Sequence, residues 1–346
     1  MTAQLLVAPS AVHPVSRVGP RARQALIAAV LGTVVVLLLP VVVHGLWIRT
    51  LTVCAIFSIA AAGVGVMYGR LGLVSLMQVG LVAVGGWITL RLWHLTHLPF
   101  EVVVLMAAAG TCVIGVLVGL PALRLSGLNL AIVTLMVAGA LEVLVTAAGF
   151  PNGGSGFLGR AGGGELAVIM PRPTIAASDG AFFRYTGLVL IVMLLLLAWL
   201  LRSRPGRAWA AIRQSEAGAI AAGISTVGYR LLALAIVSAM TGVAGALLAA
   251  SSGILDPISF KAQQSVLLFA VVLIGGAFSL GGAVIAGLFF TGMPQLLDQL
   301  GVNGNLIFVI LGLGLVQAIT TAPRGIAGQL ADLWRRIADR RQRGSR

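Results

Sequence analysis

Residues 264–297 read QSVLLFAVVLIGGAFSLGGAVIAGLFFTGMPQLL, a stretch of 34 positions without a single charge. One helix of that length would run about 51 Å, well past the roughly 30 Å of hydrocarbon in a bilayer. The stretch therefore has to break, and Gly275-Gly276-Ala277-Phe278-Ser279-Leu280-Gly281-Gly282 is where the glycines permit it. Two short spans follow, near 264–278 and 280–297.

Outward from this pair, apolar runs bounded by turn or charge signals fall near 25–43, 50–67, 71–90, 101–120, 126–147, 185–201 and 231–252, and a last one near 303–321. The composition agrees, with 59% hydrophobic and only 9% charged residues among 346 and a mean hydropathy of +1.06. A soluble domain of this size needs far more charge at its surface. The expectation is an all-α polytopic membrane protein of about ten transmembrane helices. A basic segment with Arg17, Arg21 and Arg23 precedes the first run, the layout of a secretory signal. That run is too long for a signal's apolar core and no small-x-small cleavage site follows, so it reads as a retained first span.

An even number of spans puts both termini on one side. With that side cytoplasmic, 17 of the 23 basic residues fall inside, and Arg49, Arg91, Arg160, Arg172, Arg184 and Lys261 fall outside. The N- and C-termini are accordingly expected in the cytoplasm. The organisation is a tail over 1–24, a membrane domain over 25–330 and a basic tail over 331–346. Two connections are long: a glycine-rich extracytoplasmic loop over 148–184 and a cytoplasmic loop over 202–230. The formal charge of +14 follows span ends and termini and is not interleaved with stacking aromatics, which argues against nucleic acid and for lipid as the neighbour. Cys54 and Cys112 sit inside apolar runs and read as small core residues. His94 and His97, beside Arg91 and Trp93 at a span end, read as interfacial anchors and not as metal ligands.

Polar groups inside spans are costly unless paired or wet, which makes them candidates for a solute path. Ser75 and Gln78 share a helical face, Asn129 and Thr134 lie in the fifth span, and Glu142 lies toward its outer end. Interhelical hydrogen bonding is the competing role for each. Gly63, Gly65, Gly85, Gly86, Gly242, Gly245 and Gly287 read as close helix contacts.

The cytoplasmic loop holds GRAWAAIRQSEAGAIAAGI over 206–224. Its alanines and the stop at Gly223 predict a short helix, on which Trp209, Ile212, Arg213 and Glu216 recur at three- and four-residue spacing. Such a face suits either another protein's groove or the membrane interface. The chain has one lysine, Lys261, with no glycine-rich approach, so it has no phosphate-binding loop; no cofactor is expected, and any ATP dependence has to come from a partner.

The stretch RSRPGRAWAAIRQSEAGAIAAGISTVGYRLLALAIVSAMTGVAGAL over 202–247 resembles the coupling loop and following helix of branched-chain amino-acid ABC permeases of the M-subunit type. Glu216, Ala219, Ala221, Gly223 and Ile224 match that family's Glu-x-x-Ala-x-Ala-x-Gly-Ile pattern. Six further segments are similar in order: Tyr68–Gln78, Leu128–Leu135, Asn152–Gly156, Asp256–Phe260, Gly275–Gly282 and Pro323–Gly328. Met77, Asn129 and Phe278 depart from the family's glycine, tyrosine and glycine. The resemblance implies a permease acting with a second permease, two ATP-binding subunits and an external substrate-binding protein. It implies ATPase coupling through Arg207, Trp209, Ile212, Arg213, Glu216, Ala219 and Gly223, and no catalysis by this chain. Branched-chain or related amino acids are the expected cargo, with urea, short amides or sugars as alternatives. A self-contained secondary transporter would need mid-membrane carboxylates, of which only Glu142 comes near; a membrane enzyme would need a cluster of His, Asp or Cys that the sequence lacks.

Overall fold

A computed structural model describes residues 19–122, 125, 127–154, 156–160, 168–301, 304–321 and 325–329. The tail up to 18, Arg124, the Gly162–Gly164 run, Pro323-Arg324 and the basic tail lie outside the described residues. Among those described, the regular elements are all helical: α1 Gly19–Val42, α2 Leu46–Leu71, α3 Gln78–Thr96, α4 Phe100–Gly119, α5 Gly127–Ala148, α6 Asp179–Arg202, α7 Arg204–Gln214, α8 Glu216–Ala221, α9 Thr226–Ser252, α10 Ala262–Gly275, α11 Leu280–Gly287, α12 Met293–Gln299 and α13 Gly304–Thr321. Seven helical stretches among them are long and apolar enough to cross a membrane, the last being Leu280–Gln299, and Ala29–Val42 and Ala262–Gly275 are shorter apolar helices.

The hub is α9, which packs against α2, α3 and α4. Bare backbone makes the crossing with α3 possible. A Cβ on Gly85 would lie 2.8 Å from the Gly242 Cα, and one on Gly245 would lie 2.7 Å from the Gly86 nitrogen. Lipid tails are as apolar as leucine, so helices in a bilayer gain little from burial alone and gain most from close van der Waals approach. The glycines expected to mark helix contacts do so here.

The long apolar stretch breaks as its glycines require. α10 ends at Gly275, Gly276 takes φ 112°, a left-handed value that favours glycine, and Ser279 caps α11 by accepting the Gly282 N–H at 3.0 Å. The break lies against the end of α2. A Cβ at Gly65 would sit 3.3 Å from the Ala277 carbonyl oxygen, and one at Gly69 would sit 3.0 Å from its carbonyl carbon. Between α11 and α12, Leu288–Gly292 forms a π-helical turn, where Phe290 stacks on Phe57 of α2 with centroids 4.5 Å apart. Such turns often mark functional positions within a helix.

One expected span starts elsewhere. The run near 71–90 predicted a helix from residue 71, but residues 72–77 are irregular and α3 begins at Gln78. Non-helical backbone is tolerated at membrane depth only where protein satisfies it. That condition holds: Leu73, Ser75 and Met77 are buried, the Leu76 N–H bonds Thr134 Oγ1 at 3.0 Å, and the Val79 N–H bonds Ser265 Oγ at 3.2 Å. The loop after α5 is stitched down as well. Trp87 Nε1 donates to the Gly149 carbonyl at 3.0 Å, and Asp179 at the start of α6 pairs with Arg172 at 2.5 Å and Arg49 at 2.9 Å.

Candidate functional site

Of the five residues expected along a path, the structure brings three together. Ser75, Gln78 and Thr134 join Thr241 of α9 and Ser265 of α10 in a buried polar seam around the 72–77 segment. Gln78 Oε1 accepts from Thr241 Oγ1 at 2.9 Å, and Gln78 Nε2 donates to Ser75 Oγ at 3.4 Å. Thr134 donates to the Leu130 carbonyl at 2.9 Å while it accepts from Leu76. Each hydroxyl and amide here is spent on a neighbour, as a buried polar group must be. The seam joins α3, α5, α9 and α10 through backbone and side chain. Thr241 and Ser265 escaped the sequence reading, because a hydroxyl in an apolar run gives no local sign of a partner 163 or 186 positions away.

Glu142 and Asn129 stand apart from the seam. Glu142 Oε2 accepts the Ala262 N–H at 2.7 Å, so this carboxylate of α5 caps the N-terminus of α10, where the free N–H groups and the helix dipole favour an anion. Asn129 is exposed in the first turn of α5. The shared path expected of all five residues is not assembled, since the spacing within one helix does not say which face turns inward.

A cavity of about 720 Å³ lies at the end of the bundle where α9 stops and α10 starts. Val53, Phe57, Leu255, Phe260, Leu267 and Phe290 supply apolar walls, and the π-helical turn contributes Thr291. Asp256, Asp298, Gln264 and Gln295 supply the polar groups, and its described lining contains no basic residue. Asp256 and Asp298 are both exposed at its margin. Size and mixed lining suit a small amphipathic solute, with carboxylates for a cationic group and amides for an anionic one. Asp256 also caps the short turn Pro257–Phe260, accepting from the Ile258 N–H at 3.0 Å. The Asp-Pro pair is visible in the sequence, but its meeting with α12 is a matter of tertiary structure.

At the opposite end sit α7 and α8. The sequence predicted one short helix; Ser215 divides it, capping α8 by accepting the Gly218 N–H at 3.1 Å. The expected face of Trp209 and Ile212 is turned the other way. Trp209 is fully buried, its Nε1 donating 2.8 Å to the Tyr229 carbonyl of α9, and Ile212 and Ala219 are buried too. These three anchor the pair to its own chain and offer nothing to a partner, because the amphipathic helix spends its apolar face on the bundle. Glu216 Oε2 bonds Arg230 Nη2 at 2.8 Å, tying α8 to α9. Arg213 reaches back to α2. Arg207, Glu216, Gly223 and Ile220 face outward, and Ile220, 58% exposed, is an apolar knob that the spacing argument passed over.

Residues 46–319 match the family described as branched-chain amino acid transport system / permease component. The high-affinity branched-chain amino acid transport system permease protein LivM of Escherichia coli strain K12 is 32% identical over 268 residues, 72% of this chain and 63% of that protein. Its counterpart in Salmonella typhimurium strain LT2 is 31% identical over 264 residues, 71% of this chain and 62% of that protein. The chain thus matches somewhat under two thirds of the length of these relatives. No solved structure matches it. With the family model spanning the helices from α2 into α13 and both relatives sharing its description, this chain belongs to the branched-chain amino acid transport permease family.

Proposed function

We propose that the chain is the membrane-spanning permease of an importer that carries branched-chain or related amino acids into the cell, energised by separate ATP-binding subunits. Ten spans cross a bacterial inner membrane: α1 to α6, α9, α10, the run from α11 through α12, and α13. Both termini are cytoplasmic, which the basic-residue bias supports. The cavity then opens outside, where an external binding protein releases cargo, while α7 and α8 face the ATPase. A second permease completes the complex. Alternating access closes the outer cavity as the inner end opens.

The cavity carries this reading. An aliphatic amino acid presents an ammonium, a carboxylate and an apolar side chain, and the lining offers carboxylates, amides and aromatic walls in one volume. The tests are Asp298→Asn and Asp256→Asn, which remove charge and keep shape; asparagine caps the Pro257 turn as well as aspartate does. Losing a hydrogen bond to a charged group costs about 1.5–3 kcal/mol, so leucine uptake into vesicles should fall about 10- to 100-fold in each variant. Leucine uptake indifferent to both changes would remove the two aspartates from the path, and a wild-type chain that carries urea, amides or sugars but no leucine would replace the amino-acid reading with one of those cargoes.

The rival of a self-contained secondary transporter would draw on Glu142 for ion coupling. That carboxylate is engaged in capping α10, and this favours the importer.

A further inference from the structure

The ends of α2, α7 and the α10–α11 break meet at one side chain. Arg213, in the last turn of α7, donates Nη1 to the carbonyl of Gly69 and, at 3.3 Å, to that of Tyr68. Its guanidinium carbon lies 4.7 Å from the ring centroid of Phe278, inside the break. The Tyr68 ring stands edge-on to Phe269 of α10 at 5.4 Å and lies 6.3 Å from Phe278. One side chain therefore ties α7 to two other elements at once.

The contact suits that group. In a helix ending at Leu71, the Gly69 carbonyl would look to the Leu73 N–H, which instead bonds the Met67 carbonyl at 3.0 Å. Arg213 supplies the missing donor, and a cation at a helix C-terminus is favoured by the dipole. A planar guanidinium can donate in its plane while an aromatic ring covers its face; a lysine ammonium cannot hold both in one geometry.

Two other ties of the helix pair run to α9, through Trp209 to Tyr229 and Glu216 to Arg230, and Arg207 bonds the Arg202 carbonyl at the end of α6. α9 is locked against α3 and α4 by backbone-level packing, so a pull there moves a large block. The break is a smaller unit: residues 276–279 lie between α10 and α11, held by the Gly276 N–H to the Val272 carbonyl at 2.9 Å and by the packing of Ala277 on Gly65 and Gly69 of α2. Arg213 is the side chain by which the pair grips it.

We propose that Arg213 is a positioning residue: a strut that passes displacement of α7 and α8 to the end of α2 and to the α10–α11 break, with Phe278 as its seat. The inference rests on the reading of the α7–α8 face as the ATPase contact. Arg213 is itself exposed, but its guanidinium is turned back onto the end of α2 and the Phe278 ring.

The test uses the full complex with its ATP-binding subunits and binding protein, reconstituted in lipid nanodiscs and vesicles. Arg213→Met, Arg213→Lys, Phe278→Leu and Arg213→Met with Phe278→Leu are compared for ATPase co-purification, binding-protein-stimulated ATP hydrolysis and uptake. Arg213→Met should retain the ATPase at the wild-type amount while stimulated hydrolysis and uptake fall at least tenfold, the scale of a lost hydrogen bond to a charged group. Arg213→Lys should recover part of this, Phe278→Leu should lose a few-fold, and the double variant should be no worse than Arg213→Met, since both act through one contact. A merely structural arginine would instead lower complex yield and Tm with coupling per complex unchanged, and that result would overturn the proposal. So would stimulation within twofold of wild type in Arg213→Met, or losses that multiply in the double variant. If the wild-type chain holds no ATPase, the contact reading falls and the strut with it; if docking holds while Arg213→Met couples normally, only the strut falls.

Discussion

Gly242→Leu is expected to abolish the folded permease, leaving less than about a tenth of the wild-type amount as a monodisperse species in detergent. The first atom added would lie 2.8 Å from the Thr111 side chain and 2.9 Å from the Ala107 carbonyl oxygen of α4. On its other side, Gly242 is the backbone against which Gly85 of α3 packs. Overpacking by a few methylenes typically costs about 1–3 kcal/mol when side chains can yield, and here part of what must yield is helix backbone. Separating α4 from α9 would also strand Thr111, Ser238 and the contacts around them in the core. Gly139→Ala on α5 is the control: a Cβ there meets nothing within 4 Å, and alanine in a helix interior is better than glycine by about 0.5–1 kcal/mol. Size-exclusion profiles of fluorescent fusions read both outcomes, and a well-folded Gly242→Leu protein would mean that α9 is not the hub of the bundle.

The second large effect falls outside the membrane spans. Trp209→Ala removes a fully buried indole and its hydrogen bond to Tyr229, at a cost of about 3–5 kcal/mol to the docking of α7. Because α7 and α8 are appended to the bundle, the cost should appear as local release and not as loss of the whole fold. Arg207 and Arg213 would then become rapid trypsin sites. Trp209→Phe keeps most of the buried area and gives up one hydrogen bond, worth about 1 kcal/mol, so its digestion pattern should stay near that of wild type. A Trp209→Ala protein that resists trypsin like wild type would show that the indole is not what holds the helix pair down.

How far the sequence carries the account differs from element to element. The break at Gly275–Gly282 was legible because chain length and bilayer thickness leave no alternative. The irregular segment at 72–77 was not, because Leu73, Val74 and Leu76 are as apolar as a helix would be. What keeps them out of one is the set of hydroxyls that Thr134 and Ser265 bring from distant helices. In the α7 region, periodicity placed Trp209 and Ile212 on one face, correctly, and left it open to a partner's groove or the membrane interface, while the family resemblance assigned it to the ATPase. Burial reverses the assignment: Trp209 and Ile212 are among the most buried residues outside the spans, and Ile220 is what remains exposed. Glu142 was read as a path residue on the cost of its charge alone, and the cost is met by the free N–H of Ala262. The cavity where α9 stops and α10 starts drew no notice in the sequence, since α2, α9, α10 and α12 each contribute only a few of its residues.

Glu216 illustrates the same point through its exposure. Its side chain is 46% exposed while that of its partner Arg230 is 11% exposed, so the pair lies at the boundary between chain and solvent. The carboxylate neutralises a nearly buried cation and still presents one edge outward. This dual position makes Glu216 a poor probe of docking alone, because its loss also frees Arg230.

Ile220 is the cleaner probe, exposed and without a role in holding the fold. The most direct test of the account is therefore co-purification of the ATP-binding subunits with the wild-type chain and with Ile220→Asp at matched expression and monodispersity. Placing a charge where an apolar knob should enter a groove ought to weaken the contact by several kcal/mol. The account predicts that the wild-type chain retains the ATPase and that Ile220→Asp loses it by at least tenfold. An Ile220→Asp chain that holds the ATPase as firmly as wild type would contradict the assignment of α7 and α8 as the site where ATP energy enters this permease.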